Sequence, residues 1–496
     1  MRHVLLRRGR WFLPALFLFF GLALPATGHA ADNGNGKLDP SVRALLRSPL
    51  TTPWTQLRVI AIGDAEAAAG TATFRHDRDF RLIKGDSLTI SAGQLLKLVK
   101  SRSVRFVTAD APVEANLLQP IQQTLQSFLP TLYPTLDGAP AAWSQGLRGE
   151  GIGIAVVDSG VAPVSDLGVR LVDVALGGRT GDRVGHGTFV AGIAGGRSSD
   201  GRYVGVAPGA TIYGVNVSRG TGVYTSDVIA GLDWVLANHA EKNIRVVNVS
   251  LNEIANSSYL TNVLCTAVER LWRAGVTVVV SSGNTGPGSI SHAPANDPFA
   301  ITVGALDLNG TATTSDDRVA SFSSGGTTLD KFQKPEVVAP GRQVASTLPA
   351  GTTLSLLAPL TSLLDPGYAK MNGTSFAAPQ VAAAAAILLQ RHPEYTPDQV
   401  KWLLTQQARS VSGSGARALD LAAALAFNDQ PRDANEGVVP TMYGLVDANG
   451  ASFDAAATWG AAATWTAAAT WDAAATWNAA ATWDAAATWD SFEYWD

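Results

Sequence analysis

GIGIAVVDSG, residues 151–160, decides the fold. Its apolar run is not broken by polar alternation, and it ends in Asp-Ser-Gly. A strand with one wet face alternates, whereas an unbroken apolar run belongs to a strand covered on both faces. The same texture returns in ATIYGVNV (210–217), IRVVNVSL (244–251), GVTVVVSSGN (275–284) and FAITVGAL (299–306). Between these runs lie helical patterns, SDVIAGLDWVLANHAEK (226–242) and SSYLTNVLCTAVERLWRAG (257–275). Buried strands alternating with helices predict an α/β domain, a mostly parallel sheet with helices on both faces. Ligands of such sheets bind at the carboxyl ends of the strands.

The polar residues at those ends are therefore the ones to examine. Asp158 ends GIAVVD, and Asn284 ends VVVSSGN. His186 sits in GHGTFVAGIAGG, a Gly-flanked turn entering a helix. Ser375 sits in NGTSFAAPQVAAAAAILLQ (372–390), at the mouth of an alanine-rich helix. Taken alone, Ser375 reads as a helix cap, since a hydroxyl there satisfies an unpaired N–H. Taken with the other three, it reads as a nucleophile. Serine needs a base, histidine serves near neutral pH, a buried carboxylate orients the imidazole, and an amide can hold an oxyanion.

These four segments, AVVDSGV, HGTFVAG, SSGN and GTSFAAP, in this order, resemble the subtilisin family of serine proteases. The likeness covers about residues 140–428. It implies a hydrolase of peptide bonds, a secreted serine endopeptidase acting through an acyl-enzyme on Ser375. Asp158 would be the orienting acid, His186 the base and Asn284 the oxyanion donor, aided by the Ser375 backbone N–H. It also implies that substrate lies extended between two edges. One is VNVSLNE, with Ser250, Leu251 and Asn252, and the other is RGTGVYT, with Gly220 and Gly222. Two departures stand out. Asn252 replaces a frequent Gly, which could narrow the cleft, and Phe189 stands where relatives often carry a second His. The family often uses structural calcium. GGRSSDGRYVGV (195–206) offers Ser199 and Asp200 without the usual asparagines, so a solvated turn is expected and no metal ligand is assigned.

The order Asp…His…Ser and the absence of GxSxG around Ser375 exclude an α/β-hydrolase esterase. HGT and SSGN disfavour a sedolisin-like protease. The competitor of another class is an envelope-associated binding protein on an inactive fold, which predicts a broken triad.

Upstream, residues 1–30 read as a secretory signal peptide: basic MRHVLLRRGR, apolar WFLPALFLFFGLALP, then GHA before Ala31. Arg7-Arg8 is compatible with twin-arginine export. Residues 31–50 read as a flexible start. Residues 54–110 mix strand and helix signals in a small α+β domain resembling the family's inhibitory propeptide, ferredoxin-like in kind, within a propeptide of 31–110. Self-cleavage would then fall near Asp110 or within 111–140. Residues 111–139 and 429–450 read as linkers flanking a peptidase domain of 140–428.

The chain's net charge is −4. Nine acidic residues and no Lys or Arg follow Arg432, which leaves residues 1–432 at +5. Nothing here suggests a nucleic-acid partner, and no later segment is long and apolar enough to span a bilayer. The one cysteine, Cys265, excludes an intramolecular disulfide and reads as a buried apolar residue. Residues 451–496 repeat AAATWx with Trp at 459, 465, 471, 477, 483, 489 and 495. A six-residue period puts every Trp on one face of a strand and scatters them around a helix, so the pattern favours extended structure over a helix, with a disordered low-complexity tail as the alternative. Such a face suits contact with a cell envelope, or with itself. The partners expected are peptide or protein substrates and the chain's own propeptide.

Overall fold

The computed structural model of the chain describes residues 37–48, 51–65, 75–115, 131–219, 222–288, 290–358 and 362–441. The signal-peptide reading, Gly220 and the Trp repeat lie outside the described residues.

The chain enters through α1 (Pro40–Arg47), capped by Asp39 with Pro at the first position. Leu38 and Val42 are buried, so this part of the stretch read as a flexible start is packed. There follow β1 (Gln56–Gly63), β2 (Arg75–Phe80), β3 (Gly85–Ser91), α2 (Ala92–Leu98) and β4 (Val104–Ala109). The strands form an antiparallel sheet in the order β2-β3-β1-β4. Alternation along β1 explains how this unit faces two ways. Leu57, Val59 and Ala61 join α1 and α2 in a small core, while Ile60 and Ile62 join the large core of the following domain.

Within the stretch read as a linker, Pro112–Ala115 forms β5. Among the strands that follow are β6 (Gly153–Asp158), β7 (Leu171–Val174), β8 (Thr211–Asn216), β9 (Val223–Tyr224), β10 (Ile244–Val249), β11 (Leu251–Glu253), β12 (Thr277–Ser281), β13 (Ile301–Asp307), β14 (Val337–Pro340), β15 (Arg409–Ser410) and β16 (Arg417–Ala418). All but β9 and β11 join a ten-stranded sheet, β15-β16-β14-β13-β12-β10-β6-β8-β7, with Arg318–Val319 paired to β13. From β16 to β7 the neighbours are parallel. Every residue of β6 is buried, as its unbroken apolar run requires.

Five helices matter to the site: α3 (His186–Gly195), α4 (Thr225–Asn238), α5 (Val263–Arg273), α6 (Ala378–Arg391) and α7 (Pro397–Gln406). α3 packs on α6, and α4 packs on α5. Residues Ala378–Leu389 of α6 are all buried, which fits a helix apolar all round. The domain does not end at 428. Residues 429–441, read as linker, run over α5 and α7. There Asn435 N–H donates to Asp398, and Thr441 N–H donates to Glu269. Among the described residues no helix is long and apolar enough to cross a membrane.

Candidate active site

β6 delivers Asp158 at its carboxyl end, and the chain then turns through Ser159 and Gly160 toward α3. His186 is the first residue of α3. Gly187 permits the approach: a Cβ there would fall 2.1 Å from the Gly160 carbonyl oxygen and 3.1 Å from Asp158 Cβ. Asp182 braces the turn ahead of the histidine. Its carboxylate accepts from Gly185 N at 2.7 Å, Thr188 N at 2.9 Å, Thr188 Oγ1 at 2.7 Å and Ser159 Oγ at 2.9 Å. Sequence reasoning missed Asp182. The signal was an acid four residues before a helix that opens on Gly-His-Gly-Thr.

His186 Nδ1 lies 2.7 Å from Asp158 Oδ1. That oxygen also accepts from Ser159 N–H at 2.7 Å. Burial opposes an imidazolium here, yet the net shift of His186 is upward. The charge and hydrogen bond of Asp158, with the charge of Asp182, outweigh the burial. The ring's far nitrogen, Nε2, is buried and has no hydrogen-bond partner among the described residues.

Ser375 lies in the 3₁₀ turn Thr374–Phe376, just before α6. Ser375 is not a helix cap, because Gly373 and Ala377 occupy the N-cap positions of the 3₁₀ turn and of α6. The Ser375 hydroxyl donates to the Ser250 carbonyl at 3.2 Å, and Ser250 Oγ donates back to the Ser375 carbonyl at 3.0 Å. Phe376 packs on Phe189 at 4.7 Å and lies 5.7 Å from the His186 ring. Phe189 is thus a fully buried support on the underside of α3.

Asn284 is held by its oxygen. Oδ1 accepts from Thr374 N–H at 3.0 Å, and Thr374 Oγ1 accepts from Gly283 N–H at 3.1 Å. The amide nitrogen Nδ2 is buried and without a partner among the described residues. An unsatisfied donor held next to the Ser375 turn is the requirement of an oxyanion site. Asp158, His186 and Ser375 are all 0% exposed, so the site is closed in this form of the chain.

β11 and β9 lie on either side of β5, which pairs antiparallel with both. Ala115 stands opposite Leu251, Glu114 opposite Asn252 and Val113 opposite Glu253, while Pro112 and Val113 face Tyr224 and Val223. The chain's own segment therefore runs between the two edges and points along β11 toward Ser250. Leu251 and Ser250 line this path. Gly222, at φ +144°, opens β9. The backbone of Asn252 belongs to the cleft edge, opposite Glu114, but its side chain does not enter the cleft: Nδ2 donates to the Ser281 carbonyl at 2.9 Å. Asp110, just ahead of β5, accepts from Ser226 N–H at 2.9 Å and pairs with Arg58 at 2.5 Å.

For a metal ion the donors decide. Asp200, considered above, accepts from Ser198 Oγ at 2.6 Å and Arg202 N–H at 3.0 Å in an exposed turn. Among the described residues His76, Asp79 and Asp86 converge within 4.8 Å. One imidazole among three donors does not suit calcium, which takes oxygen ligands. Cys265 is buried, and burial pushes its thiol well up.

The family model described as the subtilase family matches residues 149–446. Serine protease AprX of Bacillus subtilis (strain 168) is 39% identical over 273 residues, 52% of this chain and 62% of that protein. Subtilisin Savinase of Lederbergia lenta is 37% identical over 279 residues, 56% of this chain and 90% of that protein. The crystal structure of fervidolysin from Fervidobacterium pennivorans, described as a keratinolytic enzyme related to subtilisin, superposes with a TM-score of 0.59 at 26% identity, covering 76% of this chain and 62% of the other.

Proposed function

The chain belongs to the subtilase family, and from that premise we propose that it is an exported serine endopeptidase made as a self-inhibited precursor. The observation that carries the proposal is the buried 2.7 Å contact of His186 Nδ1 with Asp158 Oδ1, with Nε2 left without a partner in the site that holds Ser375. Asp158 fixes the tautomer, so Nε2 is the basic nitrogen. Nε2 takes the Ser375 proton as Oγ attacks a peptide carbonyl, then returns it to the leaving amine. Asn284 Nδ2 and the Ser375 backbone N–H receive the developing oxyanion. Water on the acyl-enzyme reverses these steps.

Two observations support the precursor reading. β5 occupies the path between β9 and β11, and the triad is closed. One further step of the β11 register meets Ser250, which touches Ser375. The maturation cut is accordingly proposed within two residues after Ala115, rather than near Asp110 or later in 111–140. The basic and apolar segments of residues 1–25 support export.

The test is a chromogenic peptide assay on secreted protein with Ser375→Ala beside it. The proposal expects a burst of acyl-enzyme and turnover in the wild type, and neither in the variant. Equal rates in both would remove Ser375 from the chemistry.

A further inference from the structure

Glu253 ends β11, and its carboxyl is buried opposite Val113 of β5. The mechanism above makes no use of it. Its Oε2 accepts from Asn262 Nδ2 at 2.8 Å, and its Oε1 lies 2.7 Å from Thr225 Oγ1. The same Thr225 Oγ1 lies 3.2 Å from the carbonyl oxygen of Ala111, just ahead of β5. The Thr225 backbone N–H also donates to that carbonyl, at 2.8 Å.

A hydroxyl has one hydrogen, and here it faces two oxygens. When Glu253 is ionised, its charge takes that hydrogen, because charge-assisted bonds are the stronger. The Ala111 carbonyl then meets a hydroxyl oxygen with no hydrogen to offer. When Glu253 is protonated, its O–H donates to Thr225 Oγ1, and the Thr225 hydrogen turns to Ala111. Both contacts are then satisfied. The side chains involved are buried and set by β9, β11 and the start of α4, so the choice rests on the proton alone.

We propose that Glu253 and Thr225 form a proton-dependent clasp on the backbone of an extended chain in the cleft, so that the inhibitory strand and long peptide substrates are held more tightly at low pH. The inference rests on the protease reading of the cleft. It adds a positioning residue and a substrate class: peptides long enough to place a carbonyl where Ala111 places its own.

Burial holds the Glu253 carboxyl high; the bonds from Thr225 and Asn262 pull it down, the nearby charges of Asp39 and Asp110 push it up, and it titrates at about 7. The other titratable neighbour is the Cys265 thiol of α5. Arg58 is engaged by Asp110. Removing the strand removes Asp39 and Asp110 and admits water, and both changes favour the ion. The bound state therefore takes up a proton. Affinity is full below the free-cleft value and is lost as pH rises through about 7.

The test is competitive inhibition of the self-processed enzyme by the acetylated, amidated peptide of residues 110–115, from pH 5.5 to 8.5. The wild-type inhibition constant should rise about tenfold across that range. E253Q, which carries a permanent donor, should stay flat near the low-pH value. T225S should keep the slope, and T225V, which loses the hydroxyl but still buries Glu253 on binding, should bind weakly with a smaller slope. A peptide beginning at Val113 lacks the clasped carbonyl but still covers Glu253, and should show a smaller slope in the wild type. Parallel slopes in wild type, E253Q and T225V, or an equal slope for the shorter peptide, would overturn the clasp while leaving the protease reading intact. Should E253Q fail to fold, T225V and the shorter peptide decide. An enzyme that cuts no peptide and binds neither would overturn the protease reading, and the clasp with it.

Discussion

Replacing Asn284 by alanine removes the amide nitrogen that has no partner among the described residues. Its worth can be worked from its setting. The side chain is pinned by Thr374 N–H on Oδ1 at 3.0 Å, so Nδ2 has a fixed direction and needs no reorganisation when charge develops. A ground-state carbonyl asks little of such a donor, whereas an oxyanion asks much. Loss of one donor of this kind costs about 10² to 10³ in kcat, about 2.7–4 kcal/mol; that range is the one known for the oxyanion asparagine of subtilisin, a relative of this chain. KM should stay within about threefold. Alanine also strips the acceptor from Thr374 N–H, beside the nucleophile. Asn284→Asp separates the two effects, since it keeps the acceptor and loses the donor. It should be at least as slow as Asn284→Ala at pH 8. Both would be measured with a chromogenic peptide, with rates normalised to titrated active sites. A kcat within threefold of wild type for the folded Asn284→Ala variant, or near-normal activity of Asn284→Asp, would refute the assigned role.

Three other outcomes are expected. In the proposed mechanism the neutral imidazole is the active form, and the His186 value is raised, so kcat/KM should climb with pH along a limb centred above the ordinary histidine value; a flat profile from pH 5 to 9 with chemistry rate-limiting would contradict this. Ending the chain at Asn428 removes the Asn435 donor from Asp398 and the Thr441 donors from Glu269, leaving buried carboxylates short of partners; a loss of about 2–4 kcal/mol, or about 5–10 °C in melting temperature, should follow, and an unchanged thermal transition would show that 429–441 is dispensable. Val113→Asp sets a carboxylate beside buried Glu253 in the path between β9 and β11; the precursor should mature at least about tenfold more slowly in a time course, and an unchanged rate would detach β5 from inhibition.

The features legible in the sequence share one physical cause. GIGIAVVD, IRVVNV and GVTVVV are apolar on both faces because β6, β10 and β12 are buried on both faces, and the residues that end them fall at the sheet's carboxyl edge by geometry alone. Asp158 and Asn284 could be singled out for that reason, whereas His186 and Ser375 stand at helix starts and were singled out by their Gly-flanked motifs and the family resemblance. What was not legible depends on partners distant in the chain. Pro112–Ala115 is too short, and too proline-marked, to announce a strand; it becomes one because two edges wait for it. Residues 429–441 are polar and read as linker, yet they are held by buried acids on α5 and α7. α1 did leave a signal, Asp39 before Pro40, but its core is completed by strands some twenty to seventy residues on. Asn252 looked like an obstruction in the cleft and instead turns its amide to Ser281, which only the packing of β11 on β12 could reveal.

The most direct measurement is intact-mass spectrometry of the secreted protein beside Ser375→Ala. The account predicts a wild-type protein whose new N-terminus lies within two residues after Ala115, and a variant that loses the signal peptide alone and keeps the residues from about Ala31 to Ala115. A wild type that keeps Pro112–Ala115, or a variant cut at the same bond, would contradict self-processing by Ser375.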